Sequence, residues 1–132
     1  MILVDSNVIM YAAGAEHPHK APSVRFLERV GAGQVEAVVD AEVLQEILHR
    51  YRALQRWEDG RRVYDLTRRL FPVVVPITAA VLDRARVLLD KHAGLLARDA
   101  VHAAVVQEHG FAALMSYDRD FDVVRGVKRR EP

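Results

Sequence analysis

The chain opens with Met1-Ile2-Leu3-Val4-Asp5-Ser6-Asn7-Val8, an apolar run that ends in an acid and continues into two polar residues. A short apolar run is typical of a buried strand, and Ser or Asn directly after it favours the start of a helix. We therefore predict a strand over the first five residues. A helix capped by Ser6 or Asn7 follows, which runs through Ala13 and ends at Gly14.

The same alternation of strand and helix continues along the chain. Apolar, β-branched runs predict further strands at 35–39, 71–76 and 112–115, with a weak edge strand at 123–127. Caps and helical periodicity predict helices at about 22–31, 41–54, 57–70, 78–91 and 97–108. Strands that are almost continuously apolar indicate a central, mostly parallel sheet of four to five strands, covered by helices on both faces. No linker or repeat interrupts the pattern, so we expect one domain over residues 1–132.

The composition narrows the class of protein. The 132 residues contain no cysteine, which excludes disulfides, thiolate nucleophiles and sulfur-ligated zinc. There is neither a signal-peptide pattern nor an apolar run of the roughly 18 to 20 residues that span a bilayer, so we expect a soluble, cytoplasmic protein without membrane association.

The basic residues are unevenly distributed, although the net charge is only +1. Seven arginines and three acids lie between Arg50 and Arg69, and a second basic group lies near the C-terminus. The planar guanidinium group suits phosphate, which makes nucleic acid a candidate partner. The alternative is an ordinary solvated helix face.

Acids recur at the predicted carboxyl ends of strands and at the starts of helices, where ligands bind in open α/β sheets. The set comprises Asp5, Asp40, Glu42, Glu46, Asp99, Asp118 and Asp120. Any one of them is typical of a helix cap. Two carboxylates ~4 Å apart, however, repel by about 4 kcal/mol at an effective dielectric near 20, so a cluster requires a counter-charge. Oxygen ligands favour Mg²⁺ or Mn²⁺, and a pair of such ions promotes phosphodiester hydrolysis.

Four ordered motifs resemble those of PIN domains, particularly the VapC-type toxins of bacterial and archaeal toxin–antitoxin pairs. They are Leu3-Val4-Asp5-Ser6-Asn7-Val8, Val43-Leu44-Gln45-Glu46-Ile47, Asp99-Ala100-Val101-His102-Ala103-Ala104 and Ser116-Tyr117-Asp118-Arg119-Asp120-Phe121. The resemblance covers essentially the whole chain and implies a PIN-like three-layer α/β/α sandwich. Tyr117 departs from the family pattern, in which Asn is frequent at this position.

By this resemblance the metal-binding and catalytic acids are Asp5, Glu46, Asp99 and Asp118. Ser116 is expected to orient the site and Asn7 to assist near it. Glu42 is an alternative to Glu46, and Asp120 is an alternative to Asp118. We favour Glu46 because on a helical wheel it lies closer to the apolar boundary, whereas Glu42 points most directly to solvent.

The resemblance also implies the activity and the partners. We expect endonucleolytic hydrolysis of RNA with Mg²⁺, or alternatively Mn²⁺, by a toxin that forms a homodimer and is inhibited by a cognate antitoxin. The helices from about 41 to 70 are the expected region for RNA or antitoxin contacts. The alternative function is a catalytically silent PIN scaffold that binds RNA or a protein partner.

Other chemistries fit the sequence less well. An aspartyl-phosphate phosphatase requires a second Asp two positions after Asp5, where this chain has Asn7. A receiver domain requires an Asp at the end of the third strand, and this chain has none there. We interpret His102 as a packing or supporting residue rather than a metal ligand. The rings of Tyr11, Tyr51 and Trp57 are able to stack on bases, but aromatic residues at helical spacing are usually core or dimer contacts, so we assign them no function.

Overall fold

The centre of the fold is a sheet of five parallel strands. The computed structural model describes residues 1–132. Its strands are β1 (Ile2–Val4), β2 (Ala37–Asp40), β3 (Val74–Val75), β4 (Ala113–Met115) and β5 (Arg129–Arg130). They lie in the order β3-β2-β1-β4-β5, and every neighbouring pair is parallel. The predicted parallel sheet is confirmed, with β1 at its centre.

Six helices cover the two faces of this sheet. They are α1 (Ser6–Ala13), α2 (Lys20–Gly31), α3 (Ala41–Ala53), α4 (Trp57–Leu70), α5 (Ala79–Lys91) and α6 (Ala97–His109). None of them combines the length and the apolar character that a bilayer-spanning helix requires.

The side chains of each strand alternate between the two faces of the sheet, and each face has its own apolar core. Leu3 packs in the core formed with α5 and α6, whereas its neighbour Val4 packs in the core formed with α1 to α4. Leu114 and Met115 divide between the two cores in the same way. Successive side chains of a strand point to opposite faces, so the sheet is buried on both sides and the predicted three-layer α/β/α sandwich is confirmed.

Helix α6 lies deepest in the structure, because eight successive residues from Asp99 to Val106 are buried. Small Ala and Val side chains at these positions allow close packing against the sheet. Gly110 ends the helix in the left-handed conformation, with φ 63°, a backbone geometry that glycine adopts without the usual steric cost.

The predicted edge strand at 123–127 is wrong. Residues Arg119–Val123 form a 3₁₀ helix instead, and the fifth strand lies later, at Arg129–Arg130. The side chains of Phe121, Val124 and Val127 are buried, so their apolar character reflects anchoring of a loop to the core rather than strand alternation.

The boundaries of the other elements shift by a few residues. The prediction that Ser6 or Asn7 caps α1 is also wrong, because Asp5 occupies the cap position and Ser6 is already helical. The strand predicted at 71–76 shortens to Val74–Val75, since Phe71 is buried in the core and the flanking prolines have no N–H to donate. Asp40 and Thr78 are the N-caps of α3 and α5, and the side chain of each accepts a hydrogen bond from a backbone N–H of its helix.

Candidate active site

Four acids that the sequence singled out line one cleft of about 350 Å³ at the carboxyl ends of the strands: Asp5, Glu46, Asp99 and Asp118. Asp5 follows β1 directly, Asp118 follows β4, and Asp99 and Glu46 lie in the first and second turns of α6 and α3. Glu42 and Asp120, the two alternatives, are not among the residues that line this cleft.

The ligand-type atoms fall into two groups. One oxygen of Asp5, one oxygen of Glu46 and a ring nitrogen of His102 lie within 4.8 Å of one another. The same limit holds for carboxylate oxygens of Asp99, Asp118 and Asp120. Asp120 is therefore the exposed member of the second group, although it does not line the cleft.

A buried hydroxyl organises one end of the cleft. Ser116 is fully buried, and its Oγ donates to Oδ2 of Asp5 at 2.6 Å. The same oxygen accepts hydrogen bonds from Nδ2 of Asn7 and from the backbone N–H of Asp118, each at 3.0 Å. One side chain thus fixes the acid after β1 relative to the acid after β4, as expected for a residue that orients the site.

A histidine occupies the position behind Glu46. His102 is fully buried, with Nδ1 2.7 Å from Oδ2 of Asp40 and Nε2 3.1 Å from Oε1 of Glu46. Each ring nitrogen faces a carboxylate oxygen, so both nitrogens carry protons and the ring is an imidazolium. In this arrangement the ring supplies a positive counter-charge to Asp40 and Glu46.

The electrostatics of this histidine agree with its geometry. Burial alone lowers the pKa of His102, but the charge of Asp40 and the hydrogen bonds to Asp40 and Glu46 hold it well above its usual value. The sequence did not reveal this arrangement. Asp40 was one of the acids expected at this edge of the sheet, but its pairing with His102 was not predicted. It also caps α3, because its Oδ1 accepts from the N–H of Val43 at 3.0 Å.

Glu46 is held at both carboxylate oxygens. Oε1 accepts from His102, and Oε2 accepts from the hydroxyl of Ser6. Burial raises the pKa of Glu46, but the hydrogen bonds from His102 and Ser6 and the His102 charge outweigh burial and lower it overall. By contrast, burial and the neighbouring charge of Glu46 raise the pKa of Glu42, which has no such donors.

Asp99 carries the least compensated charge of the site. Its side chain is buried, and Oδ2 has no hydrogen-bond partner. Burial, followed by the charges of Asp118 and Asp5, raises the pKa of Asp99 to about 6. Burial likewise raises the pKa of Asp5 despite His102 and Ser116. An unpartnered carboxylate oxygen among other carboxylates fits a hard divalent cation such as Mg²⁺ or Mn²⁺.

Comparison with known proteins agrees with this architecture. Residues 2–127 match the family model described as the PIN domain. The chain is 46% identical over 129 residues to Ribonuclease VapC13 of Mycobacterium tuberculosis, covering 98% of both proteins.

Two solved structures share the fold at low sequence identity. VapC20 of Mycobacterium tuberculosis, described as a sarcin–ricin loop cleaving toxin, superposes with a TM-score of 0.75 at 19% identity, covering 92% of this chain and 93% of the other. VapBC2 of Rickettsia felis, solved with a promoter DNA fragment, gives a TM-score of 0.76 at 14% identity, covering 100% and 99%. The ordered motifs, the parallel sandwich and the match over nearly its whole length show that this chain belongs to the PIN-domain family.

Proposed function

We propose that this protein is a metal-dependent endoribonuclease that acts as the toxin of a toxin–antitoxin pair. The observation that carries the proposal is the unpartnered, buried carboxylate oxygen of Asp99 in a cleft lined by three more acids. Relatives named as VapC ribonucleases support the reaction class.

In this proposal Asp5, Glu46, Asp99 and Asp118 hold the cation. Mg²⁺ or Mn²⁺ held by these residues would supply Lewis-acid chemistry and a water of lowered pKa for phosphodiester hydrolysis. Ser116 keeps the Asp5 carboxylate in position through its 2.6 Å hydrogen bond. The imidazolium of His102 offsets part of the anionic charge and fixes the orientation of Glu46.

Two cations of the chain are available for the RNA backbone. Arg50 and Arg98 line the acid cleft, and neither lies within 4.0 Å of a carboxylate, whereas several other arginines form ion pairs. Unpaired arginines at the rim of a nuclease cleft suit phosphate recognition. Arg50 and Arg98 therefore support the proposal of a polyanionic substrate, although four acids line the cleft itself.

An antitoxin protein and a second copy of this chain are the proposed partners. The Rickettsia felis neighbour is described as VapBC2, and another neighbour is described as a toxin–antitoxin complex from Klebsiella pneumoniae. An apolar groove formed by α1, α2 and α4, with Leu66 59% exposed, supports binding of a protein segment. Co-purification with the product of a neighbouring gene tests the first partner, and sedimentation of the purified chain tests the homodimer.

The decisive experiment is an RNA cleavage assay with controlled metal. We expect the purified protein to cut RNA internally when Mg²⁺ or Mn²⁺ is present and to stop when excess chelator is added. Undiminished cleavage in chelator would overturn the metal-dependent mechanism. RNA binding without any cleavage, with either metal, would instead favour the catalytically silent scaffold.

A further inference from the structure

A second cavity adjoins the acid cleft and has a different lining. It measures about 360 Å³ and includes the side chains of Tyr11, Tyr51 and Arg56, with no acid among its lining residues. It shares Asn7, Met10, Arg50 and Leu54 with the acid cleft. The two cavities therefore lie side by side, with four lining residues in common.

The ring of Tyr11, which lines this cavity, is also part of an aromatic cluster. Its centroid lies 4.6 Å from that of His17, 5.0 Å from His19 and 5.3 Å from Tyr117, the last two in edge-to-face geometry. His19 stacks on Tyr117 at 3.9 Å, and the Tyr117 hydroxyl lies 2.8 Å from Oγ of Ser23. This cluster gives a role to Tyr117, the position where the chain departs from the usual family motif.

Arg50 stands at the boundary between the two cavities, because it lines both. It is exposed and has no carboxylate within 4.0 Å, whereas Arg56 on the far side pairs with Asp59 at 2.9 Å. The boundary between the acid cleft and the second cavity therefore has a free guanidinium group. A phosphate at this point would meet a cation, with acids on one side and an aromatic ring on the other.

We infer that the second cavity binds the nucleoside next to the scissile phosphodiester of a single-stranded RNA. The base stacks on the ring of Tyr11, and Arg50 binds the phosphate that links this nucleoside to its neighbour. The volume falls within the ~300 to 1,000 Å³ of sites that enclose small organic ligands. Stacking on a fixed aromatic ring is the common way in which proteins hold unpaired bases. This inference rests on the proposed ribonuclease function.

The test measures binding without cleavage, in excess chelator. The probes are a fluorescein-labelled pool of short, random, single-stranded oligoribonucleotides and a pool of equal length whose residues lack bases. Affinities are compared by fluorescence anisotropy for the parent protein and for Tyr11→Phe, Tyr11→Leu and Arg50→Gln. All variants are first checked for an unchanged circular dichroism spectrum.

We expect the parent and Tyr11→Phe to prefer the base-bearing pool by at least about five-fold, the lower limit for one stacked base. Tyr11→Leu should lose most of this preference, because it keeps an apolar side chain but no ring. Arg50→Gln should weaken binding of both pools and leave the preference intact. An unchanged preference in Tyr11→Leu would overturn the inference, as would a loss of preference in Tyr11→Phe.

A second measurement uses the parent protein alone and so does not depend on folding of the leucine variant. Ultraviolet crosslinking of the bound oligoribonucleotides, followed by peptide mass spectrometry, should place crosslinked nucleotide on the peptide that contains Tyr11. Crosslinks confined to other peptides would contradict the subsite. If the parent shows the preference but never cleaves RNA with metal, the proposed enzymatic function fails while the subsite stands. Cleavage with a preference that is independent of Tyr11 would instead refute the subsite and leave the enzymatic function in place.

Discussion

At the scale of single residues, the site combines compensated and uncompensated carboxylates. Glu46 receives hydrogen bonds from His102 and Ser6, and Asp5 receives one from Ser116. Asp99 has an oxygen with no donor at all. A charge of this kind destabilises the metal-free fold, because burial and like charges both oppose ionisation. The expected benefit is a cation site whose ligands are already assembled.

Replacing Asp99 with Asn should therefore abolish cleavage and stabilise the metal-free protein. The pKa of Asp99 rises from 3.8 to about 6 on folding, so the unfolded chain binds fewer protons between these values and stability falls as pH rises through them. Above about pH 6 the Asn variant should gain about 1 to 3 kcal/mol over the parent, and below about pH 4 the gain should vanish. Urea unfolding in chelator at the two pH values measures this difference.

The control for this prediction is Asp83→Asn, which neutralises an exposed acid on α5. We expect that change to leave both activity and stability nearly unaltered. Added Mg²⁺ should stabilise the Asp99 variant less than the parent, since a ligand stabilises only through preferential binding to the folded state. Full activity of Asp99→Asn would remove this residue from the site.

Replacing His102 with Gln should destabilise the protein strongly. The change removes the positive charge between Asp40 and Glu46, which would leave the buried carboxylate of Asp40 and the half-buried carboxylate of Glu46 without their ion partner. Breaking a buried ion pair from one side costs about 3 to 5 kcal/mol. Urea unfolding provides the measurement, and His109→Gln, near the exposed end of the same helix, is the control.

A double-mutant cycle separates the charge effect from impaired packing. In the His102→Gln background, Glu46→Gln should cost less than it does in the parent, because it removes a carboxylate that no longer has a counter-charge. Purely additive effects would show that His102 contributes only by filling space.

At the scale of elements, parallel strands deliver the acids to one edge of the sheet. The backbone ladder continues just past the assigned strands, since the N–H of Asp5 donates to the carbonyl of Met115 and that of Ser116 donates to Arg130. Asp5 and Ser116 are therefore held at neighbouring strand ends. Helices α3 and α6 begin at the same edge and bring Glu46 and Asp99 to it.

The contact between α3 and α4 depends on a glycine. A Cβ at Gly60 would lie 2.4 Å from Cβ of Tyr51, a distance that requires the two helices to separate. Gly60→Ala should therefore destabilise the fold, although alanine in a helix normally gains up to ~1 kcal/mol over glycine. We expect a net loss of about 1 to 3 kcal/mol, the usual cost of overpacking, in urea unfolding.

Gly94→Ala is the matched control, because a Cβ there meets nothing within 4 Å. It should change the free energy of unfolding by no more than about 0.5 kcal/mol. A stabilising effect of Gly60→Ala would show that α3 and α4 can move apart without cost.

At the scale of the whole molecule, β1 lies between two apolar cores on opposite faces of one sheet. We propose that residues 1–132 fold as a single domain on this basis. Coincident unfolding transitions by fluorescence and circular dichroism would support it.

The charge of the molecule should make RNA binding sensitive to salt. Of the seven arginines between positions 50 and 69, Arg50 is the one that lines the acid cleft, and Arg98 joins it from α6. Arg50→Gln with Arg98→Gln should reduce the slope of log affinity against log salt by about 0.7 for each phosphate that is no longer neutralised. Anisotropy titrations in chelator at several salt concentrations give the slope.

The control pair is Arg61→Gln with Arg62→Gln on α4. Both side chains are exposed and face Glu58 and Asp59, at 3.5 and 3.9 Å respectively. This pair should change the slope less than the cleft pair does. If the α4 pair has the larger effect, the RNA follows the outer face of α4 rather than the cleft rim.

The local sequence was sufficient for the parallel α/β architecture and for a set of seven acids at one edge of the sheet, from which the resemblance to PIN-domain motifs selected four. Hydrophobic periodicity, caps and turn residues act within a few positions, so they define elements without knowledge of the rest of the chain. The prediction that the acids lie at one edge of the sheet needs no side-chain detail either, because ligands of open α/β sheets bind where the carboxyl ends of parallel strands meet. The edge strand predicted at 123–127 was wrong, because the apolar residues there anchor a loop to the core although their spacing is similar to that of a strand.

The electrostatic interior of the site was decided by tertiary structure. His102 contacts Asp40 and Glu46 across 62 and 56 positions of sequence, and Ser116 contacts Asp5 across 111. Such pairs depend on how α3 and α6 pack against β1 and β4, and no local sequence pattern shows that these side chains come within hydrogen-bond distance. The same holds for Tyr11 and Arg50, which come from different helices to line one cavity. A carboxylate's charge is visible in the sequence, but its compensation depends on neighbours that only folding brings within hydrogen-bond reach.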